Sequence, residues 1–177
     1  SELQNRENSP FLFVYKNGIE DIIDELIEYK IKDKYEVLSL IEYKRFEKFP
    51  NIDDIKKINS NYLVIEKIQT GIIFVSSSLN KVYKIENILF YEKLKEITNL
   101  MENIFNKGDK TNQEKLFSLG SEIFNMLPYD IKNIFNQKGE IYLSIGKDLE
   151  KIPFELLAKD DYLGKSFLLP RIQGISS

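Results

Sequence analysis

Apolar residues recur at three- and four-residue spacing through Phe11, Val14, Ile19, Ile22, Ile23, Leu26 and Ile27, directly behind Ser9 and Pro10. That pattern predicts an amphipathic helix with Ser9 as its cap and Pro10 as its first residue, expected to kink or break at Asn17–Gly18. Val37, Leu38, Leu40, Ile41 and Phe49 predict a second helix over 34–48, which Pro50 ends. The two read as a helical hairpin. Asn51 is positioned to cap a short helix through Ile52, Ile55 and Ile58.

The period then changes from that of a helix to that of a strand. Three strands are predicted at 62–68, 72–76 and 81–85, with turns at Thr70–Gly71 and at 78–80, so an antiparallel meander follows. Helical spacing returns from Asn87 to about residue 106, with Leu89, Phe90, Leu94, Ile97, Leu100, Met101, Ile104 and Phe105 on one face and Gly108 as a stop. Residues 111–114 read Thr-Asn-Gln-Glu, a capping box for a helix over 113–127 with Leu116, Leu119, Ile123, Phe124 and Leu127 on its apolar face. Pro128 starts a short helix to about residue 135, and 137–139 loop into the final stretch. That stretch alternates at Ile141, Leu143 and Ile145, turns at 146–148, gathers a second apolar group at 152–157, and ends in a short strand at 167–169 closed by Pro170.

Composition narrows the function. With 42% hydrophobic and 30% charged residues the chain is an ordinary globular one, and 177 residues suffice for one core plus a helical appendage. A net charge of -3, with Lys interleaved among Glu and Asp, argues against nucleic-acid binding. No apolar run approaches the length of a membrane span. The sequence holds no Cys and no His, so thiolate metal sites, disulfides and Cys/His nucleophilic chemistry have no residues to draw on. The lack of Cys and of a signal peptide leads us to expect a cytoplasmic protein, and a first residue of Ser leads us to expect a processed or excised piece.

Three groups of polar residues invite a chemical reading. Asp53–Asp54 falls in the first turn of a helix, where carboxylates suit the helix dipole and no other ligand type is at hand, so no metal is expected there. Ser76–Ser77–Ser78 lacks the pattern of a nucleophile elbow, and the glycines stand singly rather than in a phosphate loop, so no cofactor is expected either. Glu155, within Ile152–Pro153–Phe154–Glu155–Leu156–Leu157, is a carboxylate in an apolar segment just after a strand. Either it supports neighbouring loops through a basic partner, or it lies on the exposed side of a turn begun by Pro153. Phe154 is expected in the core.

The order of strand, Gly-Lys-Asp turn, Leu149-Glu150-Lys151-Ile152-Pro153-Phe154-Glu155-Leu156-Leu157, Tyr162-Leu163, second strand and terminal Ser resembles the opening half of the CHAT domain, a caspase-like cysteine peptidase domain related to separases. The resemblance spans about 19–177, unevenly, and is loosest over the meander. It implies an α/β (α+β) fold: an N-terminal helical hairpin, an antiparallel three-stranded meander, helices, then the first strands of a caspase-like sheet. Residues 1–50 would be a hairpin resembling a terminal tetratricopeptide-like repeat, and 51–177 the N-terminal half of the CHAT-like domain. Pro153, Phe154 and Glu155 would support the active site. The catalytic His and Cys of the family lie beyond the matched half, so this chain carries no catalytic residue.

Family members are caspase-like proteases in bacterial defence and signalling. The resemblance therefore implies a scaffold or regulatory portion of such a peptidase, partnered by a catalytic half on the same polypeptide or on a separate chain. The alternative is a self-contained, degenerate CHAT-like adaptor or oligomerisation module. In a caspase-like sheet the strand at 141–145 lies between the second strand, here 167–169, and a third that this chain lacks. The resemblance thus leaves that edge to be covered either by another segment of this chain or by a partner, and self-association or capture of the missing half is expected, among protein partners rather than nucleic acid or membrane.

Overall fold

The computed structural model describes residues 10–107, 112–136 and 138–176, with side chains from residue 18 onward. Ser9, Gly108, Thr111 of the expected capping box, and Gln137 of the expected loop lie outside the described residues. Helix α1 (Pro10–Tyr29) runs through Gly18 without a break, contrary to the expected kink. A glycine inside a helix costs about 1 kcal/mol relative to alanine, which 20 residues of continuous helix absorb. In α2 (Lys34–Phe46) the Asp33 side chain accepts from the backbone N–H groups of Tyr35 and Glu36, and Glu47 ends the helix in the left-handed conformation at φ 57. Asn51 caps α3 (Ile52–Lys56) by accepting from Asp53 N–H at 2.9 Å.

Strands β1 (Tyr62–Ile68), β2 (Gly71–Ser76) and β3 (Tyr83–Ile85) form the expected antiparallel meander, with Leu63 opposite Ser76 and Ile72 opposite Ile85. Glycine is required at 71, where any Cβ would run into the carbonyl of Ile85. Helices α4 (Ile88–Lys107), α5 (Gln113–Met126) and α6 (Tyr129–Ile134) follow. In α4 the buried set is Phe90, Leu94, Ile97 and Leu100, whereas Leu89 and Phe105 of the expected apolar face are exposed. Their angular positions fall at the margins of a stripe that only needs to cover the sheet.

The last third of the chain joins the meander instead of starting a second sheet. Strand β5 (Tyr142–Ile145) lies parallel to β1, with Tyr62 opposite Tyr142 and Ile65 opposite Ile145. On its other side runs β7 (Arg171–Ile172), also parallel, so the sheet order is β3-β2-β1-β5-β7. Strand β4 (Gly139–Glu140) pairs separately with β6 (Phe167–Leu168), which follows the one-turn helix α7 (Leu163–Ser166).

Two expectations are corrected here. Pro170 does not close the second strand: its carbonyl accepts from Leu143 N–H at 2.8 Å and pairing resumes at Arg171. Proline removes a donor but keeps an acceptor, so the ladder is interrupted at that residue rather than ended. The edge of β5, for which a partner is expected, is covered by a segment of the same chain: the carbonyls of Asn61, just before β1, and of Ile65 in β1 accept from the N–H groups of Tyr142 and Gly146 at 2.9 and 2.8 Å.

Alternation along the strands sends side chains to two cores. Leu63, Ile65, Ile72, Phe74 and Leu143 face α4, α5 and α6, together with Phe154 and Leu157. Tyr62, Val64, Ile68, Ile73 and Val75 face the hairpin through Ile23, Ile27, Val37, Leu38 and Ile41. Full burial of each large aliphatic side chain is worth about 1.5–3 kcal/mol, so Ile23, Ile27, Val37, Leu38 and Ile41 fix the hairpin to the sheet. The result is a three-layer α/β arrangement with a mixed five-stranded sheet in the middle.

Candidate functional site

On the hairpin side of β1, the inward positions Tyr62, Val64, Glu66 and Ile68 place one carboxylate in an apolar row. Glu66 is 4% exposed. A buried charge demands a partner, and α2 supplies Arg45. Its Nε and Nη2 both donate to Glu66 Oε2, at 3.0 and 2.8 Å, two charge-assisted bonds to one carboxylate oxygen. Nη1 donates to Ser144 Oγ at 2.6 Å and to the Gln173 carbonyl at 3.1 Å, and Nη2 also reaches the Ile65 carbonyl at 3.1 Å. One side chain thereby ties α2 to the C-terminal ends of β1, β5 and β7.

Lys44 extends the cluster. Its Nζ lies 2.8 Å from Asp24 Oδ1 of α1 and 3.5 Å from Glu66 Oε1, and donates to the Lys67 carbonyl at 2.8 Å. Burial pushes the Glu66 carboxyl above the ordinary range, opposed by Arg45 and Lys44. Burial likewise raises Asp24, against the pull of Lys44 and the Gln69 N–H. One turn earlier on α2, Glu42 is 3% exposed and accepts from Ile175 N–H and Ser176 Oγ at 2.9 and 2.7 Å. The segment 173–176 is thus held against α2 from both ends.

The segment singled out in the sequence lies on the other face. Pro153 is buried at the start of a single 3-10 turn, Phe154–Leu156, and Phe154 is 4% exposed in the core with α4–α6. Glu155 is half-exposed and accepts at both oxygens from Arg171 Nη2, at 3.1 and 3.0 Å. The same nitrogen donates to the Ile152 carbonyl at 3.2 Å, and the guanidinium sits 5.6 Å from the centre of the Phe154 ring. The structure therefore brings Phe154, Glu155 and the Ile152 carbonyl to Arg171 of the edge strand β7, while Pro153 is buried at the start of the turn.

Neither cluster carries the parts of a nucleophilic site. Ser144 Oγ accepts from Arg45 and donates to the Gln173 carbonyl at 3.2 Å, so it faces a cation and an amide oxygen, not a base. Ser76 Oγ lies 3.0 Å from Ser78 Oγ, and Ser77 Oγ donates to Asn61 Oδ1. Lys34 Nζ, nearby, is spent on the carbonyls of Ser77 and Leu79. Asp53 and Asp54 occupy the first turn of α3, behind its Asn51 cap.

The sequence carries a signal for the Arg45–Glu66 cluster: an acid within the apolar run 62–68 announces a buried charge, and the basic pair Lys44–Arg45 closes α2. What the sequence alone did not provide was the parallel pairing of β1 with β5, which brings Glu66 beside Ser144.

No family model, no curated protein and no solved structure matches the chain. No helix among the described residues is long and apolar enough to cross a membrane.

Proposed function

We propose that the chain is a non-catalytic scaffold module of the CHAT type, which holds protein partners and does not itself cleave peptides. The observation that carries this reading is the use made of the Ile-Pro-Phe-Glu segment. Glu155 and the Ile152 carbonyl grip Arg171, so the residues that carry the CHAT resemblance serve to fix the outermost strand of the sheet. Asp24, Glu42, Lys44, Arg45 and Glu66 are spent on fastening the hairpin, and the sequence offers neither thiol nor imidazole. Pairing of β5 with β1 and β7 favours an adaptor in which that strand is covered on both sides by its own chain.

A second reading, the leading portion of a CHAT peptidase that receives a catalytic half, is favoured by β7, which has a neighbour on one side only. A downstream half would then add at Arg171–Ile172 and not at β5. The cysteine-free composition fits a reducing cytoplasm for either.

The purified chain, incubated with a broad peptide library, is expected to release no fragment above a boiled control. Turnover that follows the chain through every purification step overturns the proposal. A fragment carrying the next caspase-like strands, titrated against the chain in sedimentation, separates the two readings: a stable complex supports the peptidase portion, and independent sedimentation supports the adaptor.

A further inference from the structure

We infer that the outer face of α1 is a docking site for an amphipathic helix of another protein, one with an apolar stripe bordered by Lys or Arg. This inference does not depend on the CHAT reading. Helix α1 buries Ile23 and Ile27 against the sheet, whereas Ile22 and Leu26, about 100° round the axis from them, stay on the solvent side. Ile22, Leu26 and Tyr29 stand at i, i+4 and i+7 and are 58%, 43% and 82% exposed. Ile19, Ile22, Ile23, Leu26 and Ile27 follow the i, i+3, i+4, i+7, i+8 pattern of one apolar stripe, of which the sheet covers the Ile23–Ile27 side and leaves the Ile22–Leu26 side without a partner among the described residues. The same three-and-four spacing runs back through the sequence to Gly18, Tyr15 and Phe11. At Gly18 an added Cβ would meet nothing within 4 Å, so the described chain leaves this face open.

Charge decides the occupant. Asp21, Glu25 and Glu28 each precede one residue of the row, so they form an acidic border about 100° round the helix axis from it. Glu28 is already engaged by Lys84 and Thr70 of the sheet, whereas Asp21 and Glu25 are exposed and make no ion pair with a described side chain. In an antiparallel pair of two copies related by a two-fold axis, each acidic border would face the other, which like-charge repulsion opposes. A partner helix with a basic border instead satisfies both rows at once, through helix-in-groove contacts of the i, i+3, i+4, i+7 kind.

The test uses two fluorescein-labelled synthetic helices of about three heptads with leucine at a and d, one bordered by lysine and one by glutamate. Binding to the full chain is read by anisotropy, and self-association by sedimentation. The lysine-bordered peptide is expected to bind, more weakly as salt is raised. Ile22→Ser with Leu26→Ser should weaken it more than about fivefold, as loss of central apolar anchors does. Asp21→Asn with Glu25→Gln should erase its advantage over the glutamate-bordered peptide. Should the apolar double variant fail to fold, as judged by its circular dichroism melt, Tyr29→Ser carries the same test at the most exposed position. The proposal is overturned if neither peptide binds, if the glutamate-bordered peptide binds equally well, or if the variants leave binding unchanged. A dimer that Leu26→Ser dissolves overturns it too, and assigns the face to a second copy.

Discussion

Arg45 meets Glu66 through a two-pronged contact, Nε and Nη2 on the same carboxylate oxygen at 3.0 and 2.8 Å, against a strand whose other inward residues are apolar. Gly146, at the end of β5, lies so close that a Cβ there would collide with the Glu66 carboxylate. The pair is enclosed by Ser144, Gln173 and Lys44, and it couples the hairpin to the sheet through charge as well as through apolar contact.

Removing one member of a buried pair leaves the other without its counter-charge. Arg45→Met is therefore expected to lower stability by about 3–5 kcal/mol in urea denaturation. Arg45→Met combined with Glu66→Leu should recover most of that loss, because apolar residues of similar volume commonly replace buried ion pairs at little cost. A single variant within about 1 kcal/mol of the parent, or a double variant no better than the single, would show that the contact is not the tie described.

The pH dependence has a definite sign. Burial raises the Glu66 carboxyl above its ordinary 4.5, so the folded chain holds that proton to higher pH than the unfolded chain does. Its contribution to stability is then fully present below 4.5 and lost as pH rises through the raised folded value. Asp24, raised from 3.8, acts in the same direction. Across acidic to neutral pH, urea midpoints of the parent should fall with rising pH relative to those of Glu66→Gln. Parallel curves would contradict this assignment.

Much of the fold was legible because the apolar period is a local property. The change from helical spacing before Asn51 to the short apolar run at 62–68, bounded by the turn at Thr70–Gly71, marks the meander, and Gly71 marks its first turn. Pairing between distant segments is not local. Leu143 and Leu63 lie 80 positions apart in parallel register, and no feature of either strand alone announces the other. The covering of β5 by β1 is for that reason not legible in either strand, and the resemblance instead sets the meander apart as a small separate sheet. Pro170 misled differently: it interrupts a ladder at one donor, and the chain resumes pairing a residue later. Glu155 was identified, but its partner Arg171 lies 16 residues on, beyond the reach of a turn's periodicity.

Phe154 and Glu155 are neighbours with very different weights. Phe154→Ala opens a cavity beneath the 3-10 turn and is expected to cost about 3–5 kcal/mol. Glu155→Gln breaks an ion pair whose side chains are 38% and 37% exposed, worth no more than about 1 kcal/mol. Thermal melts of the two variants check the contrast, and equal losses would place the anchor of this segment in the ion pair instead of the ring.

The central structural claim is that β5 is closed on both sides by strands of its own chain, and amide hydrogen exchange followed by nuclear magnetic resonance tests it most directly. Tyr142 and Gly146 donate to β1 and its preceding residue, and Leu143 donates to Pro170 beside β7. All three amides are expected to exchange slowly, at rates unchanged when the protein is diluted tenfold. Fast exchange at Tyr142 and Gly146 alongside a protected Leu143, or protection that fades on dilution, would show that β5 has a free edge covered only by another molecule, and would contradict the account.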